Sequence, residues 1–232
     1  MKHPWIAFVP YAAVSIVHVG ALAVGADAVA GPTKLALMPL LALGVVLVVG
    51  RAGRRGLVLA LLLTAIALSW LGDGAAVFFP FAPTLPMMLL CFGLAHLCYI
   101  WLFGRRLAVR RVPWWALVYA VWWVGVLVVL WPHLGDLSIA VAVYGLVLGG
   151  TAVAASRCHP LIAWGGAVFL SSDTILAFRI FLPDAMPDWT SPLVMVTYTV
   201  GQCLLAVGAI IALRAAAARS ADESAPVAAT IA

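Results

Sequence analysis

The chain has 232 residues, of which 66% are hydrophobic and only 9% are charged, and its formal net charge is +5. An ordinary soluble domain carries about 25% charged residues, and a chain of this length cannot hide so much apolar surface in one water-soluble core. The composition therefore excludes a soluble globular enzyme. The basic residues fall in short clusters between apolar runs, which fits membrane topology and not nucleic-acid binding.

Eight apolar segments follow one another along the chain, and each has about the ~20 residues that a helix needs to cross a ~30 Å hydrocarbon core. They do not alternate as barrel strands would, so the predicted fold class is an all-α bundle of eight transmembrane helices. The segments are 5–25, 34–50, 57–79, 86–103, 113–131, 137–155, 160–181 and 191–213. Residues 1–213 thus form one transmembrane domain, and we expect a short, disordered cytoplasmic tail over 214–232.

Lysine and arginine are divided unevenly between the two sides of this arrangement. With the N-terminus in the cytoplasm, eleven of the thirteen basic residues fall on the cytoplasmic side, and only Lys34 and Arg179 fall on the other. Because cytoplasmic loops are enriched in Lys and Arg, we expect both termini in the cytoplasm of a multi-pass protein of a bacterial plasma membrane. The first segment exceeds the ~7–15-residue apolar core of a signal peptide, so we expect it to be retained.

Two aspartates lie inside apolar segments, Asp73 in the third and Asp173 in the seventh. A charged side chain inside a bilayer costs several kcal/mol and is usually functional. His96 follows Asp73 after 23 residues, and Tyr198 follows Asp173 after 25. This recurrence suggests two four-helix halves, in which segments 3–4 and 7–8 are equivalent and both aspartates face a common axis.

Polar residues from seven segments lie at similar depths. Counting about 1.5 Å per residue from the basic flanks places them about 14 to 27 Å from the cytoplasmic ends. They are His18, Lys34, Asp73, His96, Tyr144, Asp173, Tyr198 and Gln202. These depths run from the membrane midplane to the non-cytoplasmic boundary, so we predict a cavity open to the outer side. Arg179 is expected to extend away to the outer interface.

Other kinds of site find less support. Four cysteines, Cys91, Cys98, Cys158 and Cys203, form no C-x-x-C pair, so we expect neither a disulfide nor a metal site from them. A zinc site would need both intramembrane histidines, His18 and His96, together with the aspartates, and we expect no metal and no cofactor. There is no G-x-S-x-G sequence, P-loop or dinucleotide fingerprint.

Two carboxylates in an apolar site can exist as one protonated acid and one ionised base. Such a pair suits the acid-catalysed hydrolysis of an acid-labile ether, in which protonation creates an oxocarbenium ion that water captures. The alternative is a small transporter or lipid-handling protein that uses the aspartates as a proton relay. A purely structural subunit would leave both buried aspartates unexplained.

An ordered set of short motifs resembles the lysoplasmalogenase family of eight-helix membrane proteins, also called YhhN-like. The motifs are Thr33-Lys34 with Met38-Pro39-Leu40-Leu41, Leu71-Gly72-Asp73, Gly93-Leu-Ala-His-Leu-Cys-Tyr99, Tyr144, Ser172-Asp173, and Thr197-Tyr198 with Gln202. The resemblance covers about residues 5–213. One departure is Lys34-Leu35, where the family commonly has Lys-Pro.

The resemblance implies hydrolysis of the vinyl-ether bond of a lysoplasmalogen, or of a related ether lysolipid, with release of a fatty aldehyde. If this activity applies to the present chain, we expect Asp73, Asp173 and His96 to be its catalytic residues. The substrate-binding residues would be Lys34, Tyr99, Tyr144, Tyr198 and Gln202. The expected partners are an ether lysophospholipid substrate and the surrounding membrane lipids, while the oligomeric state is not specified by the sequence.

Overall fold

The computed structural model describes residues 4–50 and 56–228, with side chains described up to residue 218. Within these ranges the regular elements are all helical, and eight helices are long and apolar enough to cross a membrane. They are α1 Pro4–Ala23, α2 Asp27–Val49, α3 Gly56–Asp73, α4 Thr84–Leu107, α5 Trp114–His133, α6 Gly135–Ala155, α7 Pro160–Phe181 and α8 Thr190–Ala228. The predicted all-α bundle of an integral multi-pass membrane protein is confirmed.

Three helix boundaries differ from the sequence prediction by six residues or more. Helix α2 begins at Asp27 and includes Pro32, where a loop was expected. Proline is tolerated in membrane helices because nearby Ser and Thr side chains bond to backbone groups. Here the Thr33 hydroxyl donates to the Val29 carbonyl at 2.6 Å, beside Pro32. The early start places Lys34 inside the helix instead of at its first turn.

The third predicted span, 57–79, is divided in two. Helix α3 ends at Asp73, and a short helix, Ala75–Phe78, follows Gly74. A Cβ atom on Gly74 would lie 2.4 Å from the Phe78 ring and 2.9 Å from the Leu35 side chain, so any other residue here would have to displace these side chains. The division makes Asp73 the terminal residue of its helix.

The last helix continues past the predicted end at residue 213. It runs to Ala228, so most of the segment expected to be a disordered tail is an extension of α8. Alanine has the highest helix propensity of the amino acids, and the run Ala215–Ala218 continues the helix without interruption. Residues 229–232 lie outside the described part of the chain, as do 1–3 and 51–55, which include several arginines used in the topology prediction.

The helices pack most extensively as two pairs, α3 with α4 and α7 with α8. These are the pairs that two equivalent halves would contain. Helix α4 also packs against α6, while α1 and α2 both contact α8, so the helices form one continuous bundle. Helix α5 lies at the edge, with apolar side chains such as Val121 and Val128 exposed, as expected of a helix that faces lipid.

Glycine allows α7 and α8 to approach each other closely. A Cβ atom on Gly201 would lie 2.9 Å from the backbone nitrogen of Phe169, and one on Gly165 would lie 2.8 Å from that of Leu205. Small residues at helix contacts are the usual means of close packing inside a membrane. This contact fixes the position of Asp173 on α7 relative to Tyr198 and Gln202 on α8.

Candidate active site

Asp73 lies at the carboxyl end of α3, where the helix dipole disfavours a negative charge. Two partners from other helices compensate for this. The ammonium nitrogen of Lys34 on α2 lies 3.8 Å from Asp73 Oδ1, and the Tyr198 hydroxyl on α8 donates to Oδ2 at 2.7 Å. The Asp73 side chain is 6% exposed and that of Lys34 is 39% exposed, so the ion pair extends from the bundle interior toward its surface.

Asp173 lies in the interior of α7 and has different partners. The Tyr144 hydroxyl on α6 donates to Asp173 Oδ2 in a short hydrogen bond. The Nε2 atom of His96 on α4 lies 3.9 Å from the same oxygen and 3.5 Å from the Tyr144 hydroxyl. Asp173, Tyr144 and His96 therefore form a compact group contributed by three helices, with the imidazole as its basic member.

The orientation of His96 follows from Thr151 on α6. The Thr151 hydroxyl donates to the Val147 carbonyl at 3.0 Å, so its oxygen is available to accept a hydrogen bond from His96 Nδ1 at 3.1 Å. This arrangement places the proton of the neutral imidazole on Nδ1 and leaves Nε2 facing Asp173 and Tyr144. His96 can then accept a proton on the side of the ring that faces the carboxylate.

Aromatic rings connect the two aspartate groups. The ring of Tyr198, whose hydroxyl contacts Asp73, packs edge to face against Phe169 at 5.5 Å between centroids. Phe169 in turn packs edge to face against His96 at 5.0 Å. The structure thus brings Asp73, Asp173, His96, Tyr144 and Tyr198 together.

Tyr99 and Gln202 lie in the closed core of the bundle. The Tyr99 hydroxyl donates to Gln202 Oε1 at 2.7 Å, and Gln202 Nε2 donates to Ser69 Oγ at 3.1 Å. Tyr99 and Gln202 are each no more than 1% exposed. These bonds join α4, α8 and α3 in a fully satisfied network, which fits a role in fixing the helix that carries Asp73.

An apolar cavity of about 50 Å³ reaches the Asp173 group. It lies between α4, α6 and α7, and its polar members are Asp173 and Tyr144. Its other walls are Leu85, Met88, Leu89, Phe92, Val141, Leu176, Ala177, Ile180 and Phe181. Its apolar walls suit hydrocarbon, and its volume admits only the short part of a chain that lies next to Asp173.

A second cavity, of about 260 Å³, lies on the other side of α7. Its wall is mostly apolar, and we call it the polar cavity because three basic side chains line it. Lys34, His18 and Arg179 line it, and Leu176 belongs to the walls of both cavities. The expectation that Arg179 extends away from the site is therefore corrected. Its guanidinium donates to the Pro187 carbonyl at 3.1 Å and to the Thr190 hydroxyl, and these bonds hold it beside the start of α8.

Some residues of the site could not be predicted, because the spacing of residues along the sequence gives no sign of them. Thr151 and Phe169 contact His96 from two other helices, and neither stands out in sequence. Arg179 did carry a signal, because it and Lys34 were the two basic residues placed on the outer side. The structure places both in the wall of one cavity.

Metal ligands are not assembled in the described part of the chain, where no three His, Cys, Asp or Glu side chains are grouped so as to hold an ion. His18 bonds to Thr33, while His96 belongs to the Asp173 group, so the two histidines of the zinc alternative have separate partners. The four cysteines are free. Burial raises the pKa of the Cys158 thiol to about 12, which keeps it an unreactive packing group.

The fold and the site define a polytopic helical membrane protein with two buried aspartates from different helices at one interior site. The chain belongs to the YhhN family, whose sequence model matches residues 30–209. That match extends from α2 into α8 and includes Lys34, Asp73, His96, Asp173 and Tyr198, which confirms the family resemblance seen in the sequence. Comparisons with curated proteins and with solved structures gave no match.

Proposed function

We propose that this protein is a membrane-embedded hydrolase that cleaves the vinyl-ether bond of a lysoplasmalogen or a related ether lysolipid and releases a fatty aldehyde. The observation that carries the proposal is the unequal setting of the two carboxylates. Asp73 is paired with Lys34, whereas Asp173 has no lysine or arginine within 4.0 Å among the described residues and borders an apolar cavity. Membership of the YhhN family supports the same reading.

The unequal settings suggest different tasks. The Lys34 ammonium group and the Tyr198 hydroxyl both stabilise a negative charge on Asp73, so we assign Asp73 as the ionised carboxylate. Asp173 borders the hydrocarbon cavity, where the uncharged acid form costs least, so we assign it as the proton donor. This division between one acid and one base is the pattern of two-carboxylate hydrolysis in general.

The reaction begins with proton transfer from the Asp173 carboxylic acid to the vinyl carbon farther from the ether oxygen. The π electrons form the new C–H bond, and an oxygen lone pair completes an oxocarbenium ion. Asp73 stabilises this cation and accepts a proton from the water that attacks it. The resulting hemiacetal transfers its hydroxyl proton to the glycerol oxygen as the C–O bond breaks, which gives the aldehyde and the alcohol.

Proton return completes the cycle. The Asp173 carboxylate must regain the proton that Asp73 took from water. Asp73 releases that proton to the water of the site, and we assign His96, whose Nε2 lies 3.9 Å from Asp173, as the group that delivers a proton from this water to Asp173. Tyr144 holds the Asp173 carboxyl in place through their hydrogen bond. Tyr99 and Gln202 act as positioning residues that fix α3, α4 and α8, since both are fully buried and bond to each other and to Ser69.

Aldehyde release by the purified chain tests the proposal. The protein is reconstituted in lipid nanodiscs and given a 1-alkenyl lysophospholipid, and the aldehyde is trapped and measured. The matched control is the saturated 1-alkyl lipid with the same headgroup, which has no double bond to protonate and should be inert. If no aldehyde forms and the same protein instead catalyses proton-coupled uptake into vesicles, the transporter alternative is correct and the hydrolase proposal is wrong.

A further inference from the structure

The polar cavity between α1, α2, α7 and α8 contains a combination of groups that the hydrolysis mechanism does not use. Arg179 makes no ion pair among the described residues, although Lys34 in the same wall is paired with Asp73. The cavity therefore has one uncompensated positive charge. A single anionic group, such as a phosphodiester, would balance that charge.

His18 provides a second and independent observation. Its side chain is buried, with 1% of the residue exposed, and it lines this cavity. The Thr33 hydroxyl donates to backbone carbonyls of α2, so its oxygen accepts a hydrogen bond from His18 Nδ1 at 3.0 Å. The Ala30 carbonyl also interacts with the ring, yet His18 Nε2 has no hydrogen-bond partner.

An unpaired buried polar atom has lost its hydrogen bonds to water without replacement, so such atoms are rare unless a ligand or water satisfies them. With the proton on Nδ1, the neutral imidazole presents Nε2 as a hydrogen-bond acceptor. The complementary ligand group is a hydroxyl or another donor. Lys34 and Arg179 line the same cavity, so this acceptor lies beside two cationic side chains.

We propose that this cavity binds the headgroup of the lysolipid substrate, with the phosphate held by Arg179 and Lys34 and the free glycerol hydroxyl donating to His18 Nε2. The inference rests on the proposed function and extends it, because it names the feature that selects a lysolipid. A lipid with two chains has no free hydroxyl at this position. It would leave His18 unpaired and would place a second chain in a polar cavity.

The position of Leu176 supports the arrangement. This residue lines both cavities, so the two adjoin there, and the proposed lysolipid would reach from one to the other past the Leu176 side chain. Asp173 precedes Leu176 by three residues and lies on the same helical face. The ether bond, which joins the headgroup to the chain, would then lie beside the proposed proton donor.

Binding of a non-hydrolysable ligand tests the inference separately from catalysis. The full chain in nanodiscs is titrated by microscale thermophoresis with a saturated 1-alkyl lysophospholipid. Three analogues are compared: the 2-O-methyl form, the phosphate-free alkylglycerol, and the water-soluble glycerophosphodiester without a chain. We expect the 2-O-methyl form to bind about fivefold more weakly, the loss of one hydrogen bond, and the phosphate-free lipid about tenfold or more weakly. The glycerophosphodiester should bind weakest, which distinguishes a lipid headgroup from a free phosphate ester.

Two variants assign these effects to residues. Arg179→Gln should weaken binding of the alkyl lysophospholipid about tenfold and leave the phosphate-free lipid unchanged, while Arg105→Gln, in the last turns of α4, is the matched control and should change neither. His18→Phe should abolish the difference between the free hydroxyl and its methyl ether. Equal binding of the 2-O-methyl analogue to the unmodified protein, or equal effects of the two arginine variants, would overturn the inference. Discrimination among these ligands without aldehyde release from the vinyl ether would overturn the hydrolase proposal and leave the headgroup site standing.

Discussion

At the scale of single residues, the site consists of two carboxylates that differ in how their charge is compensated. Asp73 meets an ammonium group and a phenol, while Asp173 meets a phenol and an imidazole. The difference arises from the positions of the two residues. Asp73 is the last residue of α3 and lies near the partly exposed Lys34, whereas Asp173 lines the apolar cavity. The assignment of base and acid depends on this contrast.

Substitution of each aspartate by asparagine tests that assignment. Asparagine has nearly the same shape and still forms hydrogen bonds, but it neither ionises nor delivers a carboxylic proton. We therefore expect Asp73→Asn and Asp173→Asn each to lower kcat for aldehyde release by about 10²-fold or more, with normal amounts of folded protein in the membrane. Lys34, left without its partner in the first variant, is exposed enough to be solvated.

The matched control is Asp184→Asn, in the short helix between α7 and α8, which should change kcat little. The double variant at Asp73 and Asp173 should be scarcely slower than either single variant, because members of one catalytic unit are not additive. Near-normal turnover in one single variant at normal protein levels would remove that aspartate from the mechanism.

The sequence predicted those site residues whose polar side chains are energetically costly to place inside a membrane. Asp73, Asp173 and His96 stand out because polar groups are rare in apolar segments. The hydrogen-bond partners of these residues could not be predicted from the sequence. Tyr198 bonds to an aspartate 125 positions away, and Thr151 bonds to a histidine 55 positions away. Such contacts depend on how each helix is rotated about its axis relative to its neighbours. The helical period shows which residues share a face of one helix, but it does not show which face of another helix they meet.

At the scale of helices, the contact between α7 and α8 fixes the site. Gly201 lies against the backbone of Phe169, whose ring packs on His96. We expect Gly201→Ala to push the two helices apart and to lower the free energy of unfolding by about 1–3 kcal/mol, as overpacked cores usually do. Thermal unfolding of the purified protein, followed by its tryptophan fluorescence, measures this effect.

Gly125→Ala on α5 is the control, because no atom outside its own helix backbone lies within 4 Å of the added methyl group. Alanine is also the better helix former, so this variant should be as stable as the unmodified protein or slightly more stable. Equal stability of the two alanine variants would show that the close approach at Gly201 does not limit packing.

Helix existence was predictable, and helix ends were less so. The count of eight followed from the length of each apolar run. The loop expected at Gly31-Pro32 and the continuous span through Gly74 were misplaced, because each boundary depends on a neighbour. Helix α2 continues through Pro32, and the Phe78 ring packs where a side chain at Gly74 would stand.

At the scale of the whole molecule, the basic residues predict its orientation in the membrane. Eleven of thirteen lysines and arginines fall on the side assigned to the cytoplasm, so we expect both termini there. Single cysteines at position 53, outside the described residues, and at Asp184 are introduced into a chain whose native cysteines are replaced by alanine. A membrane-impermeant thiol reagent should label position 184 from outside and position 53 only after permeabilisation. Labelling of both positions from the same side would contradict the arrangement.

The chemistry assigned to the site needs no metal ion. Carboxylates and an imidazole supply the acid, the base and the proton path, so aldehyde release should survive strong chelation followed by dialysis. Activity is measured before and after this treatment in the same nanodisc preparation. Loss of activity that added zinc restores would replace the carboxylate mechanism with one in which His18 and His96 serve a metal.

Hydrolysis in heavy water tests the central claim most directly. If a carboxylic acid protonates the vinyl carbon, turnover of the alkenyl lysophospholipid in D₂O must place one deuterium on the carbon next to the aldehyde group. The aldehyde is reduced to the alcohol as it forms, which prevents later exchange, and its mass is measured. We expect one deuterium per molecule at that carbon from the unmodified protein and about 10²-fold less product from Asp173→Asn. Aldehyde formed without deuterium at that position, or at an equal rate by Asp173→Asn, would contradict the account.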